Sequence, residues 1–131
     1  MYILDTNICI YIIKQKPIYV FERFRSISLG EIGTSSITLS ELNYGVMKSA
    51  LPEKNKLALA QFLVPLEILP FNEDAATAYG RIRADLENKG TPIGPLDTLI
   101  AAHALSLDQT LVTNNEKEFT RVTSLKIENW V

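Results

Sequence analysis

Apolar residues along the chain fall into runs of two kinds, and their alternation predicts strands separated by helices. The short runs are Tyr2-Ile3-Leu4, Ile32-Gly33-Thr34-Ser35, Leu66-Glu67-Ile68-Leu69, Thr110-Leu111-Val112-Thr113 and Leu125-Lys126-Ile127. Each has the length of a strand, and an unbroken apolar stretch such as the first suits a strand covered on both faces. The longer segments between them carry helix signals. Ile8 to Ile13 is one; Pro17 opens another, with Val20, Phe21, Phe24 and Ile27 at helical spacing and Gly30 ending it. Thr38 to Ala50 places Leu39, Leu42 and Val46 on one face, and Pro52 opens a helix running to Leu63. Asn72 caps a long helix from Glu73 to Asn88 that Gly90 stops. Pro95 opens the next, through Leu99, Ile100, Ala104 and Leu105, and Asn115 to Phe119 is a short helical turn. Strands alternating with helices predict an α/β fold, a three-layer α/β/α sandwich around a mostly parallel sheet. Right-handed crossovers then put helices on both faces.

Composition narrows this picture without redirecting it. The 131 residues match one ordinary domain, 1–131, with no repeat, linker or low-complexity tract. Hydrophobic residues make up 47% and charged residues 21%, the balance of a packed core rather than of disorder. A net charge of −2 argues against binding nucleic acid through bulk positive charge. Cys9 is the only cysteine, so no internal disulfide and no cysteine-based metal site can form, and His103 is the only histidine. A buried helical Cys9 fits a cytoplasmic protein. No apolar run is long enough to cross a membrane, and the first residues lack a signal-peptide pattern.

Candidate chemistry lies in the acids at the junctions. Asp5 stops the first apolar run, and the polar trio Asp5-Thr6-Asn7 leads into a helix. Glu41 is placed in the first turn of the Thr38 helix, Asp97 two residues after Pro95, and Glu118 three residues after Asn115. In open parallel sheets ligand sites collect beyond the carboxyl ends of the strands, so all four acids are expected along one sheet edge. Each acid alone also has a plain structural role. Thr38-Leu39-Ser40-Glu41 has the form of a capping box, and Asn115-Glu116-Lys117-Glu118 a similar layout. Asp97 suits the positive end of a helix dipole, an effect of ~0.3–1 kcal/mol. Capping gives no reason, however, for these acids to share an edge with Asp5. Converging carboxylates repel unless protonated or bound to cations, and a hard dication such as Mg²⁺ prefers such oxygen ligands. Such an ion can activate water and offset charge developing on a phosphodiester.

At these residues the chain resembles the PIN-domain nucleases, and within them the VapC-type toxins of bacterial toxin–antitoxin pairs. The matching pieces are Leu4-Asp5-Thr6-Asn7, Ser40-Glu41-Leu42, the stretch Ile93 to Ala104, Leu111 to Phe119, and Ile127-Glu128-Asn129-Trp130. They span nearly the whole chain in the family's order. The resemblance implies an endoribonuclease using Mg²⁺ or Mn²⁺, with Asp5, Glu41 and Asp97 in the metal site. Glu118 is taken as the fourth acid, holding a metal-bound water or a second ion; Glu116 is its competitor. Many members carry Asp close behind the Thr-Asn pair, where this chain has Asn114-Asn115. Thr6, Asn7, Ser40, Thr113 and Asn114 would support the site, or serve as turn and cap residues. The resemblance further implies a homodimer, a cognate antitoxin that blocks the site within a larger complex, and an RNA substrate. That RNA is tRNA, with initiator tRNA cut in its anticodon stem-loop as the narrower reading.

Two other function classes compete. A PIN-like binding module would keep the fold and an antitoxin-like partner without cutting RNA. A phosphotransfer domain fits less well, because Asn7 stands where a phosphatase of the haloacid-dehalogenase type wants a second Asp. His103, six positions after Asp97, falls on another helix face and reads as a packing or surface residue. Arg81, Arg83, Lys89, Lys14 and Lys16 can line an RNA path, though a solvated face is their default. Tyr11, Phe21 and Phe24 read as core or antitoxin groove, and Trp130 as an anchor for the C-terminal segment.

Overall fold

A computed structural model describes residues 1–131. Five strands form one sheet in the order β3-β2-β1-β4-β5: β1 (Tyr2–Leu4), β2 (Ile32–Ser35), β3 (Glu67–Leu69), β4 (Thr110–Val112) and β5 (Ile127–Glu128). Every pairing is parallel. The central strand β1 holds Leu4 opposite Thr34 of β2 on one side and Val112 of β4 on the other.

The chain winds outward from β1 through β2 to β3, then crosses back to add β4 and β5 on the far side. Right-handed crossovers made in opposite directions place their helices on opposite faces. Helices α1 (Thr6–Lys14), α2 (Ile18–Ser26), α3 (Ser36–Lys48) and α4 (Pro52–Leu63) serve the outward winding. Helices α5 (Glu73–Asn88) and α6 (Pro95–Ser106) make the return, and the short α7 (Glu116–Phe119) joins β4 to β5. Strand side chains alternate between the faces. Leu4, Ile32 and Val112 therefore pack with Ile8, Cys9, Ile12, Val20, Leu42 and Phe62 in one core. Ile3 and Leu111 pack with Ile82, Leu86, Ile100 and Phe119 in the other. The three-layer parallel sandwich expected from the pattern is the fold observed.

Local chemistry sets the element ends. Asn72 Oδ1 accepts from the Ala75 amide at 3.1 Å and caps α5. Gly90, at φ +69°, takes the left-handed conformation just past that helix that residues with a Cβ adopt reluctantly. Trp130 is buried, lies edge-on to Tyr2 at 5.4 Å and anchors the C-terminal segment. One boundary differs from expectation in a way that matters. Helix α3 begins at Ser36, capped by Ser35, whose Oγ accepts from the Ile37 amide at 3.0 Å. Thr38 is thus a buried residue inside the helix, the predicted capping box does not form, and Glu41 sits in the second turn. A β2 strand that runs straight into the helix hides its boundary from apolar periodicity, and Ser35 and Ser36 are equally good caps by sequence.

Candidate active site at the carboxyl edge of the sheet

Strand order reverses between β1 and β4, and in open parallel sheets the crevice at such a switch point is the expected ligand site. Asp5 directly follows β1, and Thr113 directly follows β4. Asp5 is the N-cap of α1, only 4% exposed; its Oδ1 accepts from the Ile8 amide at 2.9 Å. Thr113 donates its hydroxyl to Asp5 Oδ2 and accepts from the Asn115 amide at 2.9 Å. Burial is the strongest influence on Asp5 and pushes its pKa up. The Thr113 and Ile8 hydrogen bonds pull it back, and the Glu41 charge adds to the rise.

Glu41 reaches this corner from α3. Thr6, at the start of α1, donates its hydroxyl to Glu41 Oε1 at 2.6 Å, and the buried Thr38 hydroxyl stands 3.4 Å from Thr6 Oγ1. Asp97 lies in the first turn of α6 behind Pro95, half-buried, with the Asn115 side chain near enough to favour its ionised form. Its pKa rises from 3.8 to about 6, first through burial and then through the charges of Asp5, Glu118 and Glu41. One carboxylate therefore senses the other three predicted acids together. Glu118 is half-buried in α7, whereas Glu116 is exposed, receives a hydrogen bond from Asn129 at 3.1 Å, and is absent from the charges acting on Asp97.

The supporting residues divide. Thr6 and Thr113 bond directly to acids of the cluster. Asn7 lends Asp5 its backbone amide, while its side chain is exposed. Ser40 does not reach the site: it is exposed and its hydroxyl donates to the Ser36 carbonyl one turn back, the common local bond of a helical serine. Asn114 is exposed and bonds to Asn129 rather than to an acid. Asn115, read from sequence as a cap, makes no side-chain cap bond and stands near Asp97 instead, lowering that acid's pKa. Its capping position hid this role. His103 is buried as packing requires, with Nδ1 2.8 Å from Ser35 Oγ and its ring edge-on to Phe71 at 5.5 Å. Arg83 and Lys89 pair with Glu87 and Asp85 on their own helix.

The donor set suits a hard dication in kind and charge. Four carboxylates on four elements face one another, and none of the chain's ion pairs involves any of them. Charge crowding that raises Asp97 is charge a cation would relieve. Yet no three of these acids stand close enough to cage one ion. An ion that keeps part of its water shell, as Mg²⁺ does, matches such looseness better than one needing an all-protein cage. Beside Glu41 a groove between α1, α3 and α4 is lined by Ile10, Ile13, Leu42, Val46 and Leu59.

Against this geometry, the profile of the PIN domain matches residues 2–125. The chain belongs to the PIN-domain family. This PIN domain is 46% identical over 129 residues to the tRNA(fMet)-specific endonuclease VapC of Shigella flexneri, covering 98% of the chain and 97% of that protein. Its fold superposes with a TM-score of 0.94 on VapBC2 from Rickettsia felis bound to a promoter DNA fragment, at 45% identity over 99% of this chain and 98% of that one. DNA-bound VapBC from Salmonella typhimurium gives the same TM-score of 0.94 at 46% identity, over 99% and 98% of the two chains. The four acids, Thr6, Thr113 and Asn115 thus stand in a PIN fold whose relatives include named nucleases. No helix is long and apolar enough to cross a membrane.

Proposed function

We propose that this PIN domain is a metal-dependent endoribonuclease toxin that hydrolyses phosphodiester bonds in RNA and is held in check by an antitoxin. The observation that carries the reading is Asp97, flanked by Asp5, Glu41 and Glu118 with no basic residue paired to any of them. Likeness to the Shigella flexneri endonuclease supports tRNA, and initiator tRNA first, as the substrate. Likeness to the VapBC complexes supports an antitoxin partner, a homodimer and a larger toxin–antitoxin assembly. Residues 1–131 act as a single nuclease unit in the cytoplasm.

Mg²⁺ or Mn²⁺, when bound, supplies Lewis-acid activation of water and offsets charge developing on the phosphodiester. Asp5 and Asp97 are the residues that would hold it, with Glu41 completing the set through the ion's own water shell. Thr113 fixes the rotamer of Asp5 and Thr6 that of Glu41, so those two carboxylates are already ordered before binding. Glu118 would orient a water toward the phosphodiester. No covalent nucleophile is needed, and Cys9, wholly buried with its thiol pKa pushed up by burial, is unsuited to be one.

Purified protein freed of antitoxin should cleave initiator tRNA with Mg²⁺ or Mn²⁺ and lose that activity with EDTA. If Asp5→Asn cleaves as fast as the parent, the mechanism is wrong. The open spacing of the acids favours one second reading, a PIN-like binding module that pairs with an antitoxin-like partner without cutting. Calorimetric titration with Mn²⁺ separates the two, since a binding module releases no heat at millimolar metal.

A further inference from the structure

The loop after β4 carries Thr113, which holds Asp5 by a hydrogen bond, and Asn115, whose side chain lies near Asp97. Something must hold the loop. Its first residue is fixed by the sheet, where the Thr113 amide donates to the Glu128 carbonyl at 3.0 Å. The rest is gripped from outside. Asn129, directly after β5, divides its side-chain amide between Asn114 Oδ1 and Glu116 Oε2, each at 3.1 Å. Its own Oδ1 accepts from the Val131 amide at 2.9 Å, which sets the rotamer. The same segment is tied down on either side of Asn129. Trp130 Nε1 donates to Glu128 Oε1 at 3.0 Å, Arg23 pairs with that oxygen at 3.1 Å, and its guanidinium lies 5.6 Å from the Trp130 ring centre.

We infer that Asn129 is a positioning residue, whose side-chain amide clamps Asn114 and Glu116 and through that loop sets where Thr113 holds Asp5 and where Asn115 stands beside Asp97. The clamp explains why two glutamates in one helical turn differ. Glu116 is spent on Asn129, and Glu118, two residues on, is left to face Asp97. It also gives Asn114 a task outside the acid cluster. Two donor hydrogens serve two acceptors on adjacent parts of one loop, so the grip fixes the loop's orientation and not merely its distance from β5.

The link to the reaction rests on the endonuclease reading, and the test separates the two. Asn129→Asp keeps the shape and the acceptor for Val131 but removes both donors and sets a carboxylate against Glu116. Adding Glu116→Gln restores a donor–acceptor pair with its polarity reversed. Native-state hydrogen exchange at the Asn115 amide, which is bonded to Thr113 Oγ1, reads the clamp without metal or substrate. We expect exchange to speed at least about tenfold in N129D and to return within about threefold of the parent in N129D/E116Q, as a loop held by one pair of groups requires. Mn²⁺ titration and initiator tRNA cleavage should follow the same order, with about tenfold weaker metal binding in N129D, the size typical of outer-shell partners. Unchanged Asn115 exchange in N129D overturns the clamp. Loss in the single variant with no recovery in the double also overturns it, because a broken Asn129–Glu116 contact is repaired by the matching Glu→Gln and a general folding defect is not. If the parent binds no Mn²⁺, the endonuclease reading fails while the exchange result still decides the clamp.

Discussion

Replacing Asp97 by Asn should stabilise the metal-free protein while abolishing its activity. The folded state raises the Asp97 pKa from 3.8 to about 6, through burial and the charges of Asp5, Glu118 and Glu41. At 1.36 kcal/mol per pH unit, that gap of about 2 corresponds to at most about 3 kcal/mol of destabilisation with the carboxylate ionised. Asp97 is only half-buried, so solvent screening reduces this to about 1–2 kcal/mol. Between about pH 4 and 6 the folded protein holds a proton the unfolded chain has released, so stability falls as pH rises and the full cost is present above about pH 6. The amide introduced by Asp97→Asn keeps the shape but carries no charge. His103, whose pKa burial lowers, gives the opposite slope below its usual 6.5 in both proteins, so its contribution cancels in the difference between them. Urea denaturation with EDTA should therefore show D97N about 1–2 kcal/mol more stable near pH 7.5 and the difference vanishing near pH 4. Adding Mg²⁺ should favour the parent alone, by about 2.7 kcal/mol at a hundredfold excess over Kd. A D97N protein equal to or weaker than the parent near neutral pH would refute the claim that unpaired charge crowds this site.

Other positions carry expectations of their own. Thr113→Val removes the hydroxyl on a buried carboxylate oxygen and the acceptor of the Asn115 amide, and should cost about 1–3 kcal/mol by denaturation while slowing cleavage. Glu118→Gln should slow tRNA cleavage at least about tenfold, whereas Glu116→Gln, which still accepts from Asn129, should stay within about twofold in the same assay. Ala101→Leu forces a larger side chain into a fully buried position of α6 and should cost about 1–3 kcal/mol, read as a lowered melting temperature.

Much of this molecule is written in local patterns. Tyr2-Ile3-Leu4 announces a doubly covered strand, Asn72 and Gly90 bracket a helix, and Pro95 opens one, because run length, capping and backbone restriction act within a few residues. Parallel strands and right-handed crossovers then send Asp5, Asp97 and Glu118 toward one edge, so their neighbourhood is predictable before any coordinate is known. What needed tertiary structure depends on contacts across the chain. Ser35 rather than Thr38 starts α3, and Ser40 turns back on its own helix, because a helix bound to the end of β2 takes the cap that geometry offers. Glu118 is preferred to Glu116 by the family resemblance alone; Asn129, from beyond the next strand, gives the physical separation by engaging Glu116. Asn115 has a cap's place and a cap's chemistry, and only the fold brings it beside Asp97 of another helix. The sequence determined which acids meet and on which edge, since topology follows from pattern. The fold alone decided which residues hold them and how closely, since hydrogen-bond partners are chosen by three-dimensional proximity, on which spacing along the chain is silent.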